Sequence, residues 1–462
     1  MKISMKKNSI IPALIYGQLY ALTGSMFTTI IYRLFEFYDE LTTCYITEVF
    51  FYIMQAIGTA LYDIFIRRND QALKKLPLGI MILVPSLFGI PAIISDNGIM
   101  IIVLGGMMNL FIGAHICAFL TRFTTDMPFE DRGKAFGIAY AIGSIGTYLI
   151  SLPSGGSALT QGYIIYVYMA LTAVSILLVT LLLKDTAIVP IEKDQNGNPP
   201  PLKLDKSDLT VLLLIFMIYV INSVGLHFKP PSSDSINIVF SRAFYSIGLI
   251  VAGFITDKSR KAGAISAFIA LGFWLISPAL MQSAGITTFT ILLGYIFLGF
   301  TGMYRMICFS DQAEKDKKKQ SIATFGFVGM LLGQAVGTSI GEILINKQLI
   351  LICVTMLMYI FYGAVFFIVM PFLYPDKKND LGTLPFEDRK ALAFEKYVQK
   401  YGFNAKQSDV LKLLLEGDSN CEIAEKLFLA ESTVKYHVKN ILKVTGFSNR
   451  GDLIEDYKKD TF

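Results

Sequence analysis

From about residue 9 to residue 373 the chain runs as apolar blocks of roughly 20 residues, each parted from the next by a polar stretch. A helix rises about 1.5 Å per residue and the hydrocarbon core of a bilayer is about 30 Å thick, so a block of this length is what a membrane-crossing helix needs. Twelve such spans can be drawn, at about 9–31, 43–66, 77–95, 97–120, 134–152, 162–183, 209–226, 236–256, 263–283, 286–305, 321–345 and 347–373. A hydrophobic content of 53% and a charged content of 17% exclude an ordinary soluble domain of this length. Lys6 and Lys7 precede an apolar run too long for a signal-peptide core, which reads instead as the first membrane helix. The expected fold is all-α, a polytopic twelve-helix bundle.

Lysine and arginine collect in alternate loops, as they do on the cytoplasmic side of a membrane. Arg67, Arg68, Lys74 and Lys75 fall in one such loop, Arg122, Arg132 and Lys134 in another, and Lys258, Arg260 and Lys261 in a third, whereas the intervening loops hold isolated cations such as Arg33, Lys229 and Lys347. Twelve crossings then place both termini in the cytoplasm and the protein in the inner, cytoplasmic membrane. The longest polar interruption, 184–208 with Pro199, Pro200 and Pro201, divides the spans six and six. The expected organisation is a membrane domain over 1–373, a linker over 374–401 and a small C-terminal domain over 402–462.

The apolar blocks stop near Asp376, and the remainder of the chain is charged and amphipathic. Val434, Val438, Ile441 and Leu442 lie at i, i+4, i+7 and i+8, one face of a helix. Lys435, Tyr436, Lys439, Asn440 and Lys443 lie on the other, and a helix packed on one side and cationic on the other suits a major groove. The preceding segment offers Ile423, Ala424, Leu427 and Phe428 as an inner face, and the short turn 429–431 separates the two segments as a helix-turn-helix requires.

The chain reads Phe403, Asn404, Lys406, Gln407, Asp409, Val410 and Leu411, then Gly417, Ser419, Asn420, Glu422, Ile423 and Ala424. It continues Leu427, Phe428, Thr433, Val434, Lys435, His437, Asn440, Ile441, Gly446, Arg450 and Leu453. At this spacing residues 403–454 resemble the LuxR-type helix-turn-helix. The resemblance implies that Lys435, Tyr436 and Lys439 approach base edges and that Thr433, His437 and Asn440 touch phosphate. It also implies a homodimer on DNA, with Leu453, Ile454 and Tyr457 of the last helix as the apolar candidates. Two positions depart from the pattern: Ala430 stands where a serine usually caps the recognition helix, and Cys421 replaces a commonly basic residue. The stretch from Asp376 onward has 15 basic and 15 acidic residues, so DNA affinity must come from local placement of cations rather than bulk charge.

In the loop between spans eight and nine, Gly253, Asp257, Lys258, Arg260 and Lys261 form a glycine, an acid four residues on, and a basic cluster. This is similar to the loop signature of the major facilitator superfamily. The corresponding loop between spans two and three keeps Asp63, Arg67 and Arg68 but has Gly58 five residues before the acid. Together the two parts resemble bacterial regulators that fuse a twelve-helix facilitator-like domain to a LuxR-type tail. That resemblance implies signal-dependent control of genes for metabolising a small molecule.

Ionisable residues inside apolar spans are costly and mark functional positions. Glu48, Arg242 and Glu342 fall in the outer half and are the candidate contacts to an unidentified small ligand, the arginine suiting an anionic or hydrogen-bonding one. His115 is expected to be a satisfied interior residue, and Arg122 and Arg305 to snorkel toward the cytoplasmic boundary. The five scattered cysteines indicate neither metal nor disulfide, and no cofactor is expected. No nucleophile-base pair or phosphate loop points to an enzyme. Two functions remain: a one-component regulator whose bundle senses a ligand, or a secondary transporter with a regulatory tail, coupled through Glu48, Glu342 or His115.

Overall fold

The computed structural model describes residues 7–69, 71–151, 163–183, 202, 204–228, 243–277, 284–315, 322–374, 394–395 and 397–461. Arg242 and most of the expected linkers 184–208 and 374–401 lie outside these. Two compact units divide the chain, Met1–Met370 and Pro371–Phe462.

The first unit contains α1 (Lys7–Phe35), α2 (Glu40–Cys44), a π-helical turn (Tyr45–Phe51), α3 (Tyr52–Arg68), α4 (Lys75–Ile94), α5 (Gly98–Asp126), α6 (Arg132–Ser151) and α7 (Ile164–Leu182). After these come α8 (Lys206–Gly225), α9 (Tyr245–Lys258), α10 (Arg260–Ile276), α11 (Ala284–Lys315), α12 (Phe325–Leu344) and α13 (Gln348–Leu373). Because α2, the π turn and α3 join into one segment, each of the twelve expected spans has a helical counterpart among the described residues. Nine of the segments are long and apolar enough there to cross a membrane. Local chemistry starts the helices where the polar breaks fall. Asp39 accepts from Thr42 N, Asn97 from Ile99 N and Met100 N, Ser259 from Ala262 N, and Asp205 and Asp208 form a capping box for α8.

Six segments pack into each half, and the halves meet through α6 on α9 and through α3 and the π turn on α12. Glycine makes the first of these contacts possible. A methyl group on Gly253 would lie 2.4 Å from the Gly133 carbonyl oxygen, and one on Gly133 would lie 2.6 Å from that of Gly253. At the edge of the bundle α13 is held by rings instead: Phe268 of α10 stacks on Tyr359 and Phe366. Its other face shows Leu349, Leu357, Ile360, Phe361, Ile368 and Phe372 to the surroundings. Apolar surface on this scale is stable only against lipid chains, and the unit is a polytopic membrane bundle.

The second unit is a small helical domain with α14 (Ala405–Glu416), α15 (Asn420–Lys426), α16 (Glu431–Thr445) and α17 (Arg450–Thr461). Its core comprises Tyr397, Phe403, Val410, Leu411, Leu414, Ile423, Ala424, Val434, Val438, Ile441, Leu453 and Tyr457. Capping boxes open α14 (Asn404 with Gln407) and α15 (Ser419 with Glu422). The latter bond holds the Glu422 carboxyl below its ordinary range. Gly417 and Gly446 close α14 and α16 with φ of +98° and +80°, a region in which any other L-residue is strained.

Candidate ligand cavity and DNA-binding helix

A cavity of about 400 Å³ lies inside the bundle, within the range of small-molecule sites. Both halves contribute to its wall, the first through Tyr20, Gln55, His115 and Tyr140 and the second through Tyr219, Asn222, Tyr245 and Arg305. Among the described lining residues there is no Asp or Glu.

Arg305 dominates this wall electrostatically. It is 3% exposed, and its guanidinium sits 5.5–5.9 Å from the ring centroids of Tyr140, Tyr219 and Phe327. Nη2 donates to the Tyr140 hydroxyl at 3.1 Å, Nη1 rests against the Met330 sulfur, and buried Nε has no acceptor. No ion-pair partner faces it among the described residues. The snorkelling expected of this arginine is therefore incorrect: α11 runs 32 residues, and Arg305 lies ten residues before its end, inside the bundle. Arg122 is also buried rather than snorkelling, 1% exposed, with Asp126 at 2.6 Å and the Leu73 carbonyl at 2.9 Å. His115 bonds the Met81 carbonyl through Nδ1 at 3.0 Å, the satisfied interior role expected, while it also lines the cavity.

Glu48 and Glu342 do not line this cavity. They lie at the end of the bundle opposite the basic loops. Glu48 accepts from the Thr338 hydroxyl at 2.7 Å, and Glu342 faces His227 Nε2 at 3.2 Å. Gln55, Asn222 and Arg305 were not singled out in the sequence as ligand contacts. The only signal for them is polarity within an apolar block.

At the basic end, the loop signature has a geometric purpose. Asp257 accepts from the backbone N–H groups of Gly133 (2.7 Å) and Lys134 (2.9 Å), so an acid on α9 in the second half caps α6 in the first. Arg260 and Arg132 both reach Asp311 of α11, at 2.6 and 2.9 Å. Gly253, one turn before Asp257, lets α9 and α6 come close enough for that cap.

In the second unit α16 buries Val434, Val438 and Ile441 and exposes Lys435, Tyr436, Lys439 and Lys443. Thr433, His437 and Asn440 are half-buried on its flanks. Lys435 pairs with Glu431 at 2.8 Å, an exposed contact that contributes little to stability. Ala430 provides no side-chain cap, as its place in the sequence predicts. Arg450 donates to the Asp418 carbonyl and to Asn420, tying α17 to the start of α15. Phe428 departs from its expected place on the inner face: it occupies the turn after α15 with φ of +55° and is 95% exposed. The dimer candidates Leu453 and Tyr457 are buried in the core of their own domain, and Ile454 packs against that core.

The family model of bacterial regulatory proteins of the luxR family matches residues 403–455. The bundle is similar to the crystal structure of an Escherichia coli fucose:proton symporter variant, with a TM-score of 0.61 at 14% identity over 80% of this chain and 98% of that one. It is equally similar to a major facilitator superfamily transporter, FucP, in the outward conformation, with a TM-score of 0.60 at 13% identity over 80% of this chain and 100% of the other. No curated protein sequence matches the chain. The protein is a fusion of a membrane bundle with the major facilitator fold and a DNA-binding helix-turn-helix domain of the luxR family.

Proposed function

We propose that the chain is a one-component transcription regulator of the cytoplasmic membrane: a small anionic molecule binds in the bundle, and the luxR-family domain answers at DNA. Arg305 is the observation that carries the sensing half. A buried guanidinium without a carboxylate costs several kcal/mol, which the three aromatic faces offset only in part. A ligand carboxylate supplies the missing charge, and its planar geometry matches the arginine fork. Both halves contribute to the cavity wall, so a ligand there prefers the arrangement in which they close on it. Its preference between arrangements, about 1.4 kcal/mol per tenfold difference in affinity, is the signal. Both termini lie in the cytoplasm in this reading, and DNA comes to the membrane.

On the DNA side, Lys435, Tyr436 and Lys439 reach base edges, while Thr433, His437 and Asn440 meet phosphates beside them. A second copy of the domain on a two-fold site provides the remaining affinity, since the tail has no net cationic excess to bind DNA alone. Glu48 and Glu342 act away from the cavity, and Arg242 is proposed as a further ligand contact on sequence grounds alone. Of the three candidate coupling residues, Glu48 and Glu342 lie outside the cavity and His115 is held by the Met81 carbonyl, which favours sensing over proton-coupled transport.

The test replaces Lys435 and Lys439 with alanine in the chromosomal gene at matched membrane levels, with transcript profiling and uptake of candidate carboxylates as readouts. A small set of genes is expected to change while uptake stays at the wild-type rate. Unchanged transcripts, with uptake lost when the bundle is deleted, would establish a transporter with an accessory tail.

A further inference from the structure

At the end of the bundle opposite the basic loops, donors from both halves converge. Cys44 ends α2 where the π turn begins, His227 comes just after α8, and Glu342 sits on the last turn of α12. Their ligand atoms, one sulfur, one ring nitrogen and one carboxylate oxygen, all lie within 4.8 Å of one another. Neither the cavity nor the DNA-binding domain uses them.

The hydrogen bonds around His227 make this more than proximity. Nδ1 is 2.9 Å from the Ser223 carbonyl oxygen, which can only accept, so Nδ1 carries a proton. In the neutral ring Nε2 then presents a lone pair, and it points at Glu342 Oε1 from 3.2 Å. Two acceptors at that distance repel unless a cation stands between them. An N–H to carbonyl bond on the far side of the ring is also the usual support of a metal-binding histidine, since it sets the tautomer and the ring's orientation. Gly341 completes the cradle: a methyl group there would fall 2.2 Å from Nδ1, so only glycine lets the ring lie against α12. Around the cluster, the Thr338 hydroxyl gives its one proton to Glu48, and the Ser223 hydroxyl, 2.8 Å from Thr338, therefore donates to it. Glu48 is thereby held beside Cys44 as an additional negative charge.

We propose that Cys44, His227 and Glu342 bind a zinc-class divalent cation that fastens the two halves of the bundle together at this end. The donor set is what selects the metal. Thiolate with imidazole favours Zn²⁺ over Mg²⁺ or Ca²⁺, which prefer all-oxygen shells, and three protein ligands leave a fourth position for water. On binding, the Cys44 thiol loses its proton to solvent, imidazole Nε2 and the Glu342 carboxylate coordinate without further change, and no electron moves. Cys44 belongs to the first six segments, and His227 and Glu342 to the second six. The complete site therefore exists only while this end is closed, and the ion stabilises that arrangement over any in which the halves part here.

The full chain, purified in detergent and stripped of metal, is titrated with ZnCl₂ against a chromophoric chelator, and in parallel with CoCl₂ while the near-ultraviolet spectrum is recorded. One Zn²⁺ per chain is expected, together with a thiolate-to-cobalt charge-transfer band. Cys44→Ser is expected to abolish the band, and Glu342→Gln to weaken Zn²⁺ binding roughly tenfold or more. Cys421→Ser, at an exposed position in the second unit, should leave both unchanged. Circular dichroism of each variant separates loss of the site from loss of the fold. Wild-type binding well below one ion per chain, or full binding by folded Cys44→Ser protein, overturns the proposal. So does a cluster that answers only to pH, because a second proton on His227 would then be the cation.

Discussion

Arg305 and Lys435 show how differently one positive charge behaves in two settings. Lys435 is exposed and paired with Glu431, a contact worth about 0.2–1 kcal/mol that DNA can replace at little cost. Arg305 is buried among rings with its Nε unsatisfied, so its charge is a standing cost, which the proposed anionic ligand would relieve. A charged hydrogen-bonded pair contributes about 1.5–3 kcal/mol, and Arg305→Leu is accordingly expected to weaken binding of a carboxylate ligand by roughly 10–100-fold. Arg305→Lys should recover part of this, because it restores the charge but not the planar fork. Ligand-dependent thermal shifts of the two variants in detergent provide the measurement. Equal shifts in wild type and Arg305→Leu would remove this arginine from the site.

Among the helices of the second unit, α16 is the one that begins without a side-chain cap. α14 and α15 open with reciprocal capping boxes, whereas α16 starts after Ala430, which leaves its first free amides to water and to the negative charge of Glu431. Ala430→Ser restores an acceptor at that position and is expected to stabilise the domain by about 1 kcal/mol, read from denaturant unfolding monitored by circular dichroism. An unchanged midpoint would mean that Glu431 already compensates. The sequence carried this weakness openly, because a cap depends on one residue and the three after it. It was less informative about Phe428. The residue continues the apolar pattern of α15, but the chain turns at that position with φ of +55° and directs the ring outward. Leu453 and Tyr457 illustrate the opposite case: a helix face that could serve a dimer is used up by the core of its own domain.

On the scale of the whole molecule, the bundle is two six-segment halves joined at both ends by different chemistry. At the basic end Asp257 caps α6 from across the interface, and Arg132 and Arg260 share Asp311. At the other end Thr338 bonds Glu48, with the Cys44, His227 and Glu342 cluster alongside. Gly253→Val tests the first junction. Its side chain would begin 2.4 Å from the Gly133 carbonyl oxygen, backbone that cannot yield without parting α6 from α9 and drawing Asp257 off its two amides. Overpacking of this kind costs about 1–3 kcal/mol, so a lower unfolding temperature in detergent and faster labelling of a cysteine introduced at that end are expected. An unaffected protein would show that the two helices do not rely on close approach.

What the sequence by itself determined was everything decided by neighbours along the chain. The length of each apolar block sets whether it can cross a bilayer, and the missing cap before α16 is written in one residue, Ala430. The helix-turn-helix was legible for the same reason, since its inner and outer faces are written within about 50 residues. The tertiary structure alone decided which polar residues meet. Arg305 turns into a cavity walled by both halves, Glu48 and Glu342 gather at one end instead of around that cavity, and Cys44, His227 and Glu342 converge from positions more than 100 residues apart. A contact of that kind depends on the rotation and approach of whole helices, and those are set by glycines such as Gly133, Gly253 and Gly341 acting against partners that no local pattern names.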